Sequence, residues 1–303
     1  MIIPIYNSRE CLPHLYRRLT DSLVALGRNY EIIMVEDGGR DDSWDYIAAL
    51  EKSDPKIRGI KLGRNFGQHN ALLCGIRAAK MDIAITIDDD LQNPPEEIAV
   101  LLRKMEEGHA VVYGTPDQER HGLWRNMASV MTKMALQKAM GAATAGKVSA
   151  FRAFRTDLRE AFHHFQGPHL SIDVLLTWGT SRFAAVQVRH EARSLGVSQY
   201  SVGKLFKHAL NMVTGFSTLP LRLASWMGFL FTFLGIMVLV YVLGRYVFKG
   251  SSVPGFPFLA SIIAIFSGAQ LFALGIMGEY LARIHLRTMN KPAYVVDTLL
   301  TKA

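Results

Sequence analysis

The chain has 303 residues, half of them apolar, with a formal charge of +8. That length allows one or two domains around a sizeable core, and the apolar share, with a positive mean hydropathy, points to a membrane part. A basic balance suits nucleic acid, an anionic membrane surface or phosphate ligands, but zinc-ligand spacing, an RNP-type aromatic strand and a long basic helix are all missing, so no nucleic-acid partner is expected.

The first residues, "MIIPIYN", read as strand. No basic stretch followed by an apolar one precedes them, so no signal peptide is expected. Further apolar runs of strand type follow: "EIIMVED", "IRGIKLG", "DIAITIDDD" and "AVVYGT". Between them lie "CLPHLYRRLTDSLVALG", "SWDYIAALEKSD", "FGQHNALLCGIRAAK" and "PEEIAVLLRKMEEG", with apolar positions three and four apart, as in helices. Strand–helix alternation predicts an α/β fold with a mainly parallel, Rossmann-like sheet over residues 1–200. Ligands of such sheets sit at the carboxyl ends of the strands, where "EDGG" and "DDD" fall. The two cysteines, Cys11 and Cys74, form no CxxC, which argues against a disulfide framework or a zinc site and fits a reducing compartment.

Residues 201–218 place Val202, Leu205, Phe206, Leu210, Met212 and Val213 among Lys204, Lys207 and His208. This is a basic amphipathic helix, lying in the membrane interface or packed on the preceding domain, followed by a linker to residue 222. Two long apolar stretches come next, about 223–248 and 256–281, joined by "KGSSVPG". Each exceeds the ~20 residues that span the hydrocarbon core. Lys204, Lys207 and Arg222 flank the pair on one side and Arg283, Arg287 and Lys291 on the other. The positive-inside rule then predicts two spans with both termini and the first domain cytoplasmic, and a cytoplasmic tail over 283–303.

The triple aspartate in "ITIDDDLQNPPEE" carries the chemistry. On extended backbone Asp88 and Asp90 would share a side, where two carboxylates can hold Mg²⁺ or Mn²⁺ and clamp a diphosphate. The plain alternative is a solvated acidic turn. One strand earlier, Glu36 and Asp37 precede Gly38 and Gly39, and a carboxylate there can accept hydrogen bonds from a base or a ribose. Neither GxGxxG nor GxxxxGK[ST] is present, so dinucleotide binding and P-loop phosphoryl transfer lose support.

Seven stretches in order, "IPIYN", "EIIMVEDGGRDDS", "LGRNFGQHNALLCGI", "IDDDLQNPPEEI", "SLGVSQYS", "FSTLPLR" and "GIMGEYLARI…KPAYVV", resemble family 2 glycosyltransferases that act on polyprenyl phosphates. That group includes dolichyl-phosphate mannose synthases, bactoprenol glucosyltransferases and undecaprenyl-phosphate formamidoarabinose transferases. "RNFGQHNA" and "DLQNPPEEI" look most like the last. The resemblance covers nearly the whole chain. It implies a GT-A fold and inverting transfer of one sugar from a nucleotide sugar, UDP-linked by the nearest resemblance, to a polyprenyl phosphate such as undecaprenyl phosphate at a bacterial inner membrane. It also implies that Pro4, Tyr6, Asn7 and Asp37 bind the nucleotide, with Asp88 and Gln92, and that Asp88 and Asp90 carry the metal. Arg125 and Ser129 would meet the lipid phosphate, and Arg193, Ser198 and Tyr200 lie in a loop that closes on the substrates. Relatives include tetramers and monomers, so oligomeric state stays open.

The chain departs from that pattern in places. Glu36 stands where an aspartate is usual, Gln199 replaces a basic residue, and Pro116 replaces an arginine, leaving Arg120 as the nearest substitute. "GKVSAFR" lacks an acidic residue before Phe151. Asp173 in "HLSIDVLLTW" is either a helix-terminus residue or a carboxylate turned toward the sugar. Two other readings compete. A processive polysaccharide synthase would need more spans and a "QxxRW" motif, and neither is found. A non-enzymatic nucleotide-sugar-binding membrane partner would have no need of the intact DxD and basic motifs.

Overall fold

The computed structural model describes residues 1–116, 147–166, 170–191, 219–249 and 255–300. In chain order the first part runs β1 (Ile2–Ile5), α1 (Leu12–Ala25), β2 (Ile32–Glu36), α2 (Ser43–Ser53), β3 (Ile57–Leu62), α3 (Gln68–Ala78), β4 (Ile83–Thr86), a 3₁₀ turn (Pro95–Glu97), α4 (Ile98–Glu106) and β5 (Val111–Pro116). After it come β6 (Arg152–Arg155), a second 3₁₀ stretch (Thr156–Phe162), α5 (Ile172–Gly179) and β7 (Phe183–Val188). The last elements are two long helices, α6 (Leu219–Lys249) and α7 (Phe256–Thr288), and β8 (Val296–Leu299).

The eight strands form one sheet in the order β7-β5-β6-β4-β1-β2-β3-β8. β3, β2, β1 and β4 are mutually parallel, and β5 runs parallel to β7; β6 and β8 run antiparallel to their neighbours. Central strands buried on both faces must be apolar throughout, and β1 and β2 are buried along their whole length. α1 buries Leu12, Leu15, Leu19 and Leu23, a single face at helical spacing, and starts with a proline in its first turn, where the missing N–H costs nothing. α3 lies so close on β1 that a Cβ on Gly75 would come within 2.4 Å of the Ile2 side chain. Only glycine permits that approach, which sets the height of the α3 amino terminus beside the end of β4.

Strand order reverses at β1. The chain builds outward through β2 and β3, then crosses back to place β4 on the other flank of β1. Such a switch point opens a crevice at the carboxyl ends of the two strands. The loop after β1 carries Tyr6, Asn7 and Ser8, and the loop after β4 carries Asp88, Asp89 and Asp90.

Within the C-terminal tail, Val296–Leu299 form β8 on the free edge of β3. Gly63 donates its N–H to the Val295 carbonyl (3.0 Å), and Leu300 donates to the Gly59 carbonyl (3.0 Å). Ala293 is buried and Tyr294 packs its ring against the Arg77 guanidinium. "KPAYVV" thus covers a sheet edge that would otherwise expose unpaired backbone groups.

α6 and α7 form a second unit. They contain the apolar segments Leu221–Arg245 and Ile265–Leu286, neither of them buried inside the protein. Trp226, Phe229 and Phe233 are 73%, 72% and 60% exposed. A soluble helical hairpin would hide such a face, so these are candidate membrane spans. The second helix runs the length of the second apolar stretch and on to Thr288. It passes Glu279 and Arg283, which pair one turn apart at 2.8 Å. The rings of Phe231 and Phe266 meet edge to face between the two helices.

Candidate active site

β4 ends at Thr86, so the three aspartates occupy the turn beyond the strand rather than the strand itself. Strand alternation therefore does not orient them. The turn closes at Leu91, which has a left-handed φ of 58°. Each carboxylate takes a different partner. Asp88 accepts from the Gln68 side-chain amide at the start of α3 (2.6 Å). Asp89 accepts from the Ser8 hydroxyl and from the Tyr6 N–H (3.4 Å), across the crevice. Asp90 accepts from the Gln92 N–H (3.1 Å). The Asp88 carboxyl is pushed up to about 7, first by burial and then by the facing Asp90 and Asp89 charges, while Arg152 and Gln68 draw it down.

The other loops close the same end of the sheet. Asp37, buried at the end of β2, accepts from the backbone N–H groups of Phe66 (2.7 Å) and Gly67 (2.8 Å). Burial pushes its carboxyl up to about 6 against those bonds. Both oxygens are engaged, so Asp37 ties the β3–α3 loop to β2, with lone pairs left on its outer side. Asn7, itself left-handed (φ 54°), accepts the Arg40 N–H at 2.7 Å, joining the β1 and β2 loops. Gly38 has φ 65°, and a Cβ there would lie 2.3 Å from the Arg64 carbonyl carbon. Gly38→Ala should therefore push the β2 and β3 loops apart and destabilise the fold by about 1–3 kcal/mol. Thermal unfolding checks this.

Beneath Asp88 lies a buried charged group that the sequence did not announce. Arg152 on β6 is 1% exposed and stands in register with Thr86 on β4 and Tyr113 on β5. Its Nη1 pairs with Asp173 in the first turn of α5, its Nε donates to Thr86 Oγ1 (3.1 Å), and the Tyr113 hydroxyl donates to the same Asp173 oxygen (3.0 Å). Removing one partner of such a pair typically costs about 3–5 kcal/mol, because a bare buried charge remains. Asp173 thus sits in the first turn of α5 with one oxygen committed to Arg152 and Tyr113. Its neighbour Ile172 donates its N–H to His69 on α3 (3.5 Å).

The strand β7 leaves the sheet beside the aspartate turn. Glu191 donates its N–H to the Gln92 carbonyl (2.8 Å), Arg18 bridges Glu96 and Glu191, and Arg189 pairs with Glu97.

The sequence-predicted residues thus divide. Tyr6, Asn7, Asp37, Asp88, Asp90 and Gln92 gather at the carboxyl ends of β1, β2 and β4. Pro4 is buried inside β1, opposite Val35. Arg120, Arg125, Ser129, Arg193, Ser198 and Tyr200, with the amphipathic segment 201–218, lie outside the described residues.

Residues 1–162 match the family described as Glycosyl transferase family 2. The chain belongs to this family. It is a glycosyltransferase, and the resemblance read from its motifs holds. Over its full length, and 93% of the relative's, it is 35% identical to the undecaprenyl-phosphate 4-deoxy-4-formamido-L-arabinose transferase of Enterobacter sp. (strain 638). Among solved structures, mannosyl-3-phosphoglycerate synthase from Rubrobacter xylanophilus aligns over 84% of this chain and 77% of its own, with a TM-score of 0.52 at 15% identity. That likeness is one of fold, the mainly parallel GT-A sheet.

Among the described residues no group of three or more His, Cys, Asp or Glu side chains could hold a metal ion. A pair still suits one kind of cation. Mg²⁺ in nucleotide sites takes one or two carboxylates and fills its shell with phosphate oxygens and water, whereas Ca²⁺ or Zn²⁺ would want a fuller protein cage. Asp88 and Asp90, close enough to repel, are a donor set of that kind.

Proposed function

We propose that this family 2 glycosyltransferase moves a single sugar from a nucleotide sugar, UDP-linked, to a polyprenyl phosphate, undecaprenyl phosphate, with inversion at C1, at the cytoplasmic face of a bacterial inner membrane. The observation that carries it is the 35% identity along the whole chain, crevice domain and apolar helices together, to a transferase named for undecaprenyl phosphate. A relative sharing only the first domain would say little about the acceptor.

In this reading Tyr6, Asn7, Asp37 and Gln92 line the nucleotide side, with Pro4 shaping β1 beneath them. Asp88 and Asp90 hold Mg²⁺ or Mn²⁺. Bound there, the cation supplies Lewis-acid stabilisation to the departing nucleoside diphosphate. The acceptor is a phosphate monoester, largely dianionic near neutral pH, and attacks without a general base. What it needs is alignment, which Arg125 and Arg193 provide through bidentate contacts, with Ser129, Arg120, Ser198 and Tyr200 around them.

Topology supports the membrane side. β1–β7 precede the two apolar helices and β8 follows them, yet all eight strands share one sheet. If both helices span the membrane, a chain that returns to its own sheet leaves and re-enters on one face, as a hairpin. Arg222, Arg283, Arg287 and Lys291 flank that face, which the positive-inside rule makes cytoplasmic.

Membranes or detergent-solubilised chain, given radiolabelled nucleotide sugars and undecaprenyl phosphate, should yield one lipid carrying one sugar, with release of the nucleoside diphosphate. A polymer would identify a processive synthase, and no labelled lipid across a panel of nucleotide sugars would overturn the reading.

A further inference from the structure

A buried arginine needs a reason, and Arg152 has more partners than a plain counter-ion to Asp173 requires. Two bonds of its own and one that braces its partner come from three directions. Asp173 holds it from the first turn of α5, Tyr113 closes the same carboxylate from β5, and Thr86 receives its Nε from the last residue of β4. Thr86 then passes the link on, donating its hydroxyl to the Ala150 carbonyl at 2.6 Å. Two residues beyond Thr86 the chain turns out of the sheet at Asp88. The direction of that turn is set by whatever fixes Thr86 from below and by Gln68 and Ser8 from the sides.

We propose that Arg152, locked by Asp173 and Tyr113, is a positioning residue that fixes the end of β4 and thereby aims the Asp88–Asp90 turn at the diphosphate of the sugar nucleotide. It touches no substrate and acts through Thr86 and the aspartates. A guanidinium suits the task because its planar fork reaches a carboxylate and a hydroxyl at once in fixed geometry, which an ammonium on a flexible stem cannot do. Asp173 is then the partner of Arg152 and not a proton acceptor for the acceptor substrate, in keeping with a phosphate that brings its own charge. The inference rests on the Asp88–Asp90 metal reading above.

The test uses the full chain in detergent, with Mn²⁺ uptake in the presence of UDP followed by electron paramagnetic resonance, alongside initial rates. Two variants keep fold and function apart. Thr86→Val preserves shape and removes only the hydroxyl that Arg152 and Ala150 share. The double variant Arg152→Met with Asp173→Asn removes both charges together, which buried pairs tolerate far better than the loss of one. Both should fold, Thr86→Val with an unfolding temperature lowered by a few degrees because Arg152 Nε and the Ala150 carbonyl lose their partner, and both should bind Mn²⁺–UDP at least tenfold more weakly, with KM for the nucleotide sugar raised and KM for the lipid phosphate unchanged. Folded variants with wild-type Mn²⁺–UDP affinity and wild-type KM values would overturn the proposal and leave the triad a structural ion pair. If the double variant does not fold, Thr86→Val decides by the same criterion. A wild-type chain that takes up UDP but no Mn²⁺ would instead sink the metal reading; the positioning role is then judged on UDP affinity by the same tenfold measure.

Discussion

Asp90→Asn is expected to lower sugar transfer by roughly 10²–10³-fold, the loss typical of removing one preorganised charged group from where charge develops. The substitution is nearly isosteric. Asp90 accepts the Gln92 N–H at 3.1 Å, and an amide oxygen can accept it as well, so the turn keeps its shape. What goes is one of two negative charges facing a dication. Under the proposed assignment, Mg²⁺ or Mn²⁺ would draw on two protein carboxylates and complete its shell from substrate and water, so halving the protein charge should weaken binding. Asp88→Asn should act in the same direction, with the amide oxygen still able to receive the Gln68 amide. The check is the transfer rate titrated with Mn²⁺: partial recovery at high Mn²⁺ marks weakened metal binding. Full metal-dependent transfer by Asp90→Asn at ordinary Mn²⁺ would sink the assignment of the pair.

Much of the fold was legible because burial imposes simple patterns. A strand covered on both faces must be an apolar run, and a helix on that sheet must carry its apolar residues three and four apart, as α1 does with Leu12, Leu15, Leu19 and Leu23. The two apolar helices were legible by length. β8 was not: four residues, "VDTL", largely exposed, carry no alternation, and their pairing is dictated by the free edge of β3 far away in sequence. The site divides along the same line. Acidic residues at strand ends could be found by type and position. Their orientation could not, since alternation stops at Thr86 and the turn at Leu91 depends on a left-handed residue with no glycine to signal it. Arg152 was hidden in "SAFRAFR", where an arginine reads as surface. Its burial follows from Tyr113 and Asp173, 39 residues before and 21 residues after it in the chain, which only the sheet brings together.

Strand alternation would turn Asp89 away from Asp88 and Asp90, as a structural or a peripheral residue, and only a peripheral one could become alanine without loss. The structure makes it structural. Its carboxylate receives the Ser8 hydroxyl and the Tyr6 N–H, linking the β1 loop to the aspartate turn across the switch-point crevice. Hydrogen bonds to a charged group contribute about 1.5–3 kcal/mol each, and a shift of about 1 Å in a positioning loop can cost a hundredfold in rate. Asp89→Ala is therefore expected to raise KM for the nucleotide sugar ten- to a hundredfold, while KM for the lipid phosphate holds. Asp89→Asn keeps an acceptor for both donors and should stay within a few-fold of wild type, with Ser8→Ala between the two. Steady-state kinetics with each substrate varied in turn would separate these cases. An Asp89→Ala enzyme with both KM values unchanged would mean that the two loops hold their places without the link, and that the β1 loop is positioned by its bonds to the β2 loop, from Asn7 to Arg40, Ser8 to Ser43 and Arg9 to Asp41.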